Sequence, residues 1–109
     1  MTKLGILVYQ SLPLLIGNAG VFNHKERAFV QQLNREIKAL DLDWEIRLDE
    51  AEGDIQVIET LNPQVLILKN GLQRQFYAGD FDKQRIYQLD ALELATKETR
   101  KLITFLKQH

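Results

Sequence analysis

One long glycine-containing segment near the amino terminus holds the residues best suited to chemistry. Residues 10–22 read Gln-Ser-Leu-Pro-Leu-Leu-Ile-Gly-Asn-Ala-Gly-Val-Phe, between an apolar run and the start of a helix. Backbone amides at such a helix start can hold an anion, so Gly17, Asn18 and Gly20 are candidate ligand-binding residues. The alternative is an ordinary surface loop, because the segment lacks the Lys-Ser/Thr of a nucleotide loop and the glycine spacing of a dinucleotide loop.

Two side chains in this region are candidate phosphoryl acceptors. His24 comes at the first helical position, where the positive end of the helix dipole favours a neutral, nucleophilic imidazole. Ser11 lies in the loop itself. Neither has a partner base or an orienting carboxylate close by in the sequence, so an exposed histidine at a helix start is the simpler interpretation. The chain has no cysteine, which excludes disulfides, thiolate metal sites and thiol nucleophiles.

An acidic stretch is the chain's one candidate for binding a hard cation. It contains Asp49, Glu50, Glu52 and Asp54. A calcium loop needs its acidic residues at alternating positions and a glycine at the sixth, and this spacing differs. We therefore expect a solvated acidic turn, no metal site and no cofactor.

Further polar residues follow directly after segments that are predicted to be strands. In open α/β sheets, ligands bind in the crevice beyond the carboxyl ends of the strands. Turn and helix-cap roles explain the same residues equally well. The candidates are Tyr9 and Gln10, Lys69 and Asn70, Arg74, and Asp90.

Four segments have the patterns of strands. Residues 4–9 and 64–68 are almost uninterrupted apolar runs, which are typical of strands covered on both faces of a parallel sheet. Residues 42–48 alternate between apolar and charged side chains, which indicates a half-buried strand nearer a sheet edge. A fourth strand is predicted over residues 85–89.

A long helix is predicted to begin at Asn23. The Asn23 side chain can accept a hydrogen bond from an amide three residues on, while Glu26 reaches back. Apolar residues then recur at three- and four-residue steps and predict one core-facing stripe. The stripe comprises Phe29, Val30, Leu33, Ile37 and Leu40.

Shorter helices are predicted between the later strands. Residues 55–61 form one, which Asn62 and Pro63 end, and residues 72–77 form a helical turn or two. One terminal helix follows, capped either by Asp90 with Glu93 or by Thr96. It extends to Lys107 and turns Leu102, Ile103 and Leu106 toward the core.

Regular alternation of strands and helices predicts parallel strands with right-handed crossovers. We predict an α/β chain with a three-layer flavodoxin-like fold, a four-stranded parallel sheet and helices on both faces. The segment 4–9 is expected at the middle of the sheet. With 109 residues, the chain is expected to form a single domain over residues 1–109.

Composition excludes several classes of protein. Hydrophobic residues make up 45% of the chain, which argues against disorder. The net charge is -1 and the 14 basic residues are spread out, so we expect no nucleic-acid partner. No apolar run approaches the ~20 residues needed to cross a bilayer. The expected protein is soluble and cytoplasmic, with no membrane insertion.

The order of elements resembles the enzyme IIB component of the sugar phosphotransferase system, lactose/cellobiose type. Residues 62–71, Asn-Pro-Gln-Val-Leu-Ile-Leu-Lys-Asn-Gly, look like the third strand of that family and its following turn. Residues 85–90, Arg-Ile-Tyr-Gln-Leu-Asp, look like its last strand, which ends in an acid before the terminal helix. The resemblance covers essentially the whole chain and implies a single IIB-like domain.

The family's phosphorylated cysteine stands at the end of strand one. The matching place in this chain falls near Tyr9, Gln10 or Ser11, and the following loop is longer than in the family. A tyrosine or an unactivated serine is a poor substitute for a thiolate of low pKa. The resemblance therefore implies a relative that is more a binding or regulatory protein than an enzyme.

Three functions stay open from the sequence. The first is a non-catalytic protein that contacts a protein partner through residues 10–22. The second is a phosphocarrier or an enzyme that binds a small anionic phosphate ester with Ser11 or His24. The third is a homodimer that buries the aliphatic side chains of residues 12–16 in a self-complementary interface.

Overall fold

The chain folds into alternating strands and helices. A computed structural model describes residues 2–9, 24–49, 54–70, 72, 79 and 81–109. The first five elements are β1 (Lys3–Val8), α1 (His24–Ala39), β2 (Trp44–Leu48), α2 (Ile55–Thr60) and β3 (Val65–Leu68). A 3-10 turn (Lys83–Arg85) then leads into β4 (Ile86–Gln88), α3 (Ala91–Thr96) and α4 (Arg100–Lys107).

The four strands form one parallel sheet in the order β2-β1-β3-β4. In the central pairings, Gly5 of β1 lies opposite both Ile46 of β2 and Val65 of β3. Leu66 of β3 in turn lies opposite Ile86 of β4. The predicted α/β class, the parallel sheet, the inner position of β1 and the edge position of β2 are confirmed.

Apolar strand side chains fall into two separate clusters, because successive strand residues point to opposite faces of a sheet. One cluster joins Leu7, Ile46, Val65 and Ile67 to side chains of α1, α3 and α4. The other joins Ile6, Val8, Leu66 and Leu68 to Ile55 and Ile58 of α2. Each cluster therefore combines strand side chains with those of at least one helix.

The core-facing stripe of α1 is one residue shorter than its sequence pattern predicts. Phe29, Leu33 and Ile37 are buried, but Leu40 is 51% exposed. The helix ends at Ala39, and Asp41 follows with a positive φ of 57°. The prediction for Leu40 is wrong: its amide still makes a helical bond to the carbonyl of Glu36 at 2.9 Å, but the residue is the last one before the chain turns at Asp41, and its side chain stays largely exposed.

The carboxyl-terminal segment forms two helices, and the prediction of one continuous helix is wrong. Asp90 and Glu93 form a reciprocal capping box at the start of α3. Lys97 then adopts the left-handed conformation, with φ 56°, and ends that helix. The hydroxyl of Thr99 donates a hydrogen bond of 2.5 Å to Glu36 on α1. This tertiary contact lies immediately before α4, whose Leu102, Ile103 and Leu106 are buried as predicted.

The strand boundaries differ slightly from the predicted ones. Strand β2 begins at Trp44 rather than residue 42, and β4 begins at Ile86 because Arg85 belongs to the 3-10 turn. The side chain of Asp82 caps that turn by accepting from the amide of Gln84. Helix α2 ends at Thr60, followed by Asn62 with φ 53°, close to the predicted end.

Gly5 lies where the sheet leaves little room for a side chain. A Cβ atom at Gly5 would stand 2.7 Å from Cδ1 of Ile46, whose side chain is 2% exposed. Alanine would gain about 0.5–1 kcal/mol over glycine in backbone entropy, but overpacking costs about 1–3 kcal/mol. We therefore expect Gly5→Ala to lower the free energy of unfolding by about 1 kcal/mol in urea titrations.

The matched test of this contact removes the atom that the new methyl group would meet. Ile46→Val lacks Cδ1 and alone should cost about 0.5–1.5 kcal/mol. In that background, Gly5→Ala should be neutral or stabilising. An equal cost of Gly5→Ala in both backgrounds would show that the Ile46 contact does not decide the effect.

Candidate functional site

The carboxyl ends of β1 and β3 meet at the place where the chain reverses its direction along the sheet. From β1 the chain crosses to β2 on one side, and β3 and β4 lie on the other. The amide of Lys69 donates to the carbonyl of Val8 at 2.9 Å, and the amide of Asp49 donates to the carbonyl of Leu7, also at 2.9 Å. Such a switch point is the usual location of a ligand site in an open α/β sheet.

A largely buried ion pair lies at this edge. Nζ of Lys69 is 3.3 Å from Oε1 of Glu26, and the two side chains are 34% and 4% exposed. Glu26 belongs to the first turn of α1, while Lys69 directly follows β3. The pair therefore joins the start of α1 to the carboxyl end of the sheet.

The position of Glu26 determines the electrostatics of this helix start. A carboxylate in the first turn interacts favourably with the positive end of the helix dipole. Glu26 also accepts a hydrogen bond from the ammonium group of Lys69, a cation at this edge that could otherwise attract an anion. The carboxylate of Glu26 thus interacts with both the positive end of the α1 dipole and the ammonium group of Lys69. Asn23, the predicted partner of Glu26 in helix capping, lies outside the described residues.

Asp49 corrects the interpretation of the acidic stretch as a solvated turn. Its side chain is only 3% exposed, at the end of β2. Asp54 has a structural role, because it caps α2 by accepting a hydrogen bond of 3.0 Å from the amide of Gln56. Glu50 and Glu52 lie outside the described part of the chain.

Besides Lys69, three of the candidate site residues can be placed in full. Tyr9, directly after β1, is half-buried, as is Asn70, which follows Lys69. Asp90 is exposed, and its carboxylate accepts a hydrogen bond of 2.7 Å from the amide of Glu93 as the cap of α3. Tyr9 and Asn70 therefore lie at the ends of the two neighbouring central strands, while Asp90 follows the edge strand.

The remaining candidates fall on parts of the chain that the structure does not describe. His24 begins α1, but its side chain is outside the described part. The other candidates there are Gln10, Ser11, Gly17, Asn18, Gly20 and Arg74, together with the aliphatic residues 12–16.

A cavity of about 530 Å³ lies beside the end of β2. Its lining includes Arg27 and Arg47, the buried Asp49, and the exposed Val57 and Leu61, which lie within α2 and just after it. Arg47 also pairs with Glu45 at 2.7 Å. Neither arginine stands out in the sequence, because one comes from a helix and the other from a strand that only the fold brings together.

A second polar cluster connects β4 to α3. The hydroxyl of Tyr87 donates a hydrogen bond of 2.5 Å to Oε2 of Glu93, and Oε1 of Glu93 accepts from the amide of Asp90 at 3.1 Å. The Tyr87 ring also makes an edge contact with Phe105 of α4, with ring centroids 5.4 Å apart. Oε2 of Glu93 thus connects α3 to β4, while Oε1 completes the cap of α3.

Tyr87 should give this protein a distinctive response to alkali. Burial raises the pKa of Tyr87 well above its usual value, and the hydrogen bond to Glu93 and the negative charges of Glu93, Asp90 and Glu98 raise it further. Because the folded-state pKa is raised, the stability that the neutral phenol contributes is complete below about pH 10. It is lost as the pH rises from there through the folded-state pKa.

We expect Tyr87→Phe to lower the free energy of unfolding by about 1–2 kcal/mol at neutral pH, since a buried acceptor loses its donor. The difference from the wild type should shrink above about pH 10. Tyrosinate absorbance of the folded protein should contain a late ionisation step at high pH, and Tyr87→Phe should remove that step. A constant difference at every pH would contradict this.

Neither a metal cluster nor a membrane-crossing helix is found in the part of the chain that the structure describes. No group of three or more histidine, aspartate or glutamate side chains there could hold a metal ion. Among the same residues, no helix is long and apolar enough to cross a bilayer.

The carboxyl edge of the sheet thus has three features: the ion pair between Glu26 and Lys69 at the start of α1, the half-buried Tyr9 and Asn70 at two strand ends, and a neighbouring cavity lined by two arginines. Comparison of the chain with models of protein families, with curated proteins and with solved structures found no match.

Proposed function

We propose that this chain is a small cytoplasmic, non-catalytic binding or regulatory protein that resembles a phosphotransferase IIB domain without its phosphorylated cysteine. Its contact surface is the carboxyl edge of the sheet, with residues 10–22. The observation that carries the proposal is the ion pair between Glu26 and Lys69 at this edge. The flavodoxin-like strand order 2-1-3-4 and the lack of any cysteine support it.

The ion pair argues against phosphoryl transfer at this helix start. A transferred phosphoryl group needs cationic groups and amide dipoles that are free to stabilise its charge. Here the carboxylate of Glu26 already neutralises Lys69 and interacts with the dipole of α1. A dianionic phosphoryl group placed nearby would also be repelled by this buried carboxylate, whereas a protein partner at the same edge needs no such charge.

The first experiment tests for retained chemistry. The protein is incubated with the general phosphotransferase proteins and labelled phosphoenolpyruvate, with a cysteine-containing IIB domain as the positive control. We expect label on the control and none on this chain. Label on a residue of segment 10–22 or on His24 would overturn the proposal.

The second experiment tests for retained binding. Calorimetry measures association with purified components of the same phosphotransferase system, the partners that the resemblance implies. Asn70→Lys alters the half-buried end of β3, and Lys107→Asp makes a charge change on α4 as a control. We expect Asn70→Lys to weaken binding at least about tenfold and Lys107→Asp to leave it unchanged. Equal effects of both variants, or no binding by the wild type, would contradict the proposed partner surface.

One observation favours a second function, the binding of a small phosphate ester. The cavity beside β2 has a volume of about 530 Å³, within the range of small-molecule sites, and Arg27 and Arg47 line it. Calorimetry with inorganic phosphate and a sugar phosphate tests this function, using Arg27→Ala, His24→Ala and Ser11→Ala. A heat of binding that Arg27→Ala removes would favour the cavity, and one that His24→Ala or Ser11→Ala removes would favour the first loop. Absence of binding in the wild type and in all three variants would eliminate this function.

A further inference from the structure

The edge strand β2 directs the backbone groups of alternate residues away from the sheet. The amide of Lys3 donates to the carbonyl of Asp43 at 3.0 Å, and the amide of Asp49 donates to the carbonyl of Leu7 at 2.9 Å. Odd-numbered residues of this segment therefore bond to β1. By the alternation of a parallel ladder, the N–H and C=O of Ile46, at the middle of β2, point outward.

A single side chain of α1 forms hydrogen bonds with both of these outward-facing backbone groups. Nδ2 of Asn34 donates to the carbonyl of Ile46 at 2.8 Å, and Oδ1 of Asn34 accepts from the amide of Ile46 at 2.9 Å. A carboxamide presents one donor and one acceptor side by side, as a residue of a neighbouring strand would. Asn34 thus supplies the hydrogen bonds that the next strand of the sheet would have made.

The surroundings of Asn34 show that packing alone does not require an asparagine there. Asn34 is four residues after Val30 and three before Ile37, so it borders the apolar stripe of α1. A leucine of similar size at this position would extend the stripe. It would leave the amide and carbonyl of Ile46 without these two partners.

Strand β2 has the composition of an edge that needs protection. Its charged residues, Glu45 and Arg47, bond to β1, whereas the residues whose backbone groups face outward are the apolar Trp44, Ile46 and Leu48. Unpaired backbone groups at a sheet edge can recruit another strand. The opposite edge strand, β4, is only 3 residues long, and the amide of Ile86 at its start bonds back to the carbonyl of Lys83. Short length protects β4, whereas β2 has Asn34.

We propose that Asn34 is an edge guard, which prevents a second copy of this chain from adding its own β2 to the β2 edge. The bound carboxamide must leave before a second strand can pair at Ile46. Two copies paired through β2 would form a continuous sheet across a two-fold axis, since each would offer the same edge.

The wild-type protein gives the first test, by hydrogen exchange followed residue by residue. The Ile46 amide should exchange as slowly as the Asp49 amide, which bonds to β1, although Ile46 faces the open side of the sheet. Free exchange at Ile46 in the wild type would overturn the proposal without any variant.

The second test uses Asn34→Leu, with Gln31→Leu as the control that adds the same apolar group at an exposed position of α1. In Asn34→Leu, the Ile46 amide should exchange about tenfold faster, the effect of one net hydrogen bond. Sedimentation should show self-association of this variant alone. A synthetic peptide of residues 43–49 should bind Asn34→Leu and not the wild type.

The outcomes separate the edge guard from a purely structural role. A folded, monomeric Asn34→Leu that ignores the peptide would overturn the proposal, as would equal self-association of Gln31→Leu. If Asn34→Leu does not fold, the same measurements are made on Asn34→Ala. The rate of hydrogen exchange at the Ile46 amide of the wild type still tests the proposal independently. Self-association of the wild type at tens of micromolar that the peptide of residues 43–49 competes away would also contradict the guard.

Discussion

Replacing Lys69 with methionine is expected to lower the free energy of unfolding by about 3 kcal/mol, because the buried carboxylate of Glu26 loses its counter-charge. Breaking a buried pair commonly costs about 3–5 kcal/mol. The lower end applies because Lys69 is 34% exposed, whereas Glu26 is 4% exposed. Urea unfolding followed by the fluorescence of Trp44 measures the change. The loss would be a large part of the about 5–15 kcal/mol of a typical domain.

The two members of the pair should respond unequally. Glu26→Gln leaves an ammonium group that can reach water, so we expect a cost of about 1 kcal/mol. The double variant Glu26→Gln/Lys69→Met should be clearly more stable than Lys69→Met alone, since no buried charge is stranded. Lys25→Met, at an exposed position next to Glu26, is the control and should change little. A double variant as unstable as the sum of the single variants would show that the two side chains act independently.

Truncating Phe29 is expected to have the largest effect of any substitution on α1. Its ring is fully buried in the cluster that joins α1 to the sheet. Phe29→Ala removes the buried ring and leaves a cavity, which costs about 3–5 kcal/mol. Thermal unfolding should show a correspondingly lower midpoint, with the same folded-state circular dichroism as the wild type.

Leu40→Ala provides the comparison for Phe29→Ala. Both residues belong to the apolar pattern read from the sequence, but Leu40 is 51% exposed. Its truncation should change the free energy of unfolding by no more than about 0.5 kcal/mol. Equal losses from the two truncations would mean that α1 packs differently from the described arrangement.

The element order could be predicted because local patterns carry it. Residues 4–9 and 64–68 are apolar throughout, as buried parallel strands require, and they became the adjacent inner strands β1 and β3. Phe29, Leu33 and Ile37 repeat with the helical period, and all three are buried. These signals need only the spacing of residues along the chain.

Element ends were predicted less well, because tertiary contacts compete with local preference there. Lys97 adopts a left-handed conformation that its residue type does not favour. The break between α3 and α4 accompanies the bond from Thr99 to Glu36, which are 63 residues apart in the chain. The periodicity of the last segment fits one helix equally well, so it does not reveal this break.

In the candidate site, too, the sequence predicts what depends on local patterns and does not predict what depends on tertiary contacts. Strand order predicted the location of this site, and the apolar run of residues 64–68 placed Lys69 and Asn70 at a strand end. The partnership of Lys69 with Glu26 spans 43 residues, and that of Asn34 with Ile46 spans 12. No local motif marks either pair, since each residue is an ordinary one for a helix or a strand.

By itself, the sequence determined the class of fold, the inner position of β1 and the absence of thiol chemistry, because composition and periodicity are properties of the chain alone. Only the tertiary structure decided that Glu26 is buried against Lys69, that Asp49 is shielded from solvent and that Asn34 covers the β2 edge. The physical reason is that burial and charge pairing depend on distances in space, which the chain sets only after its helices have packed on the sheet.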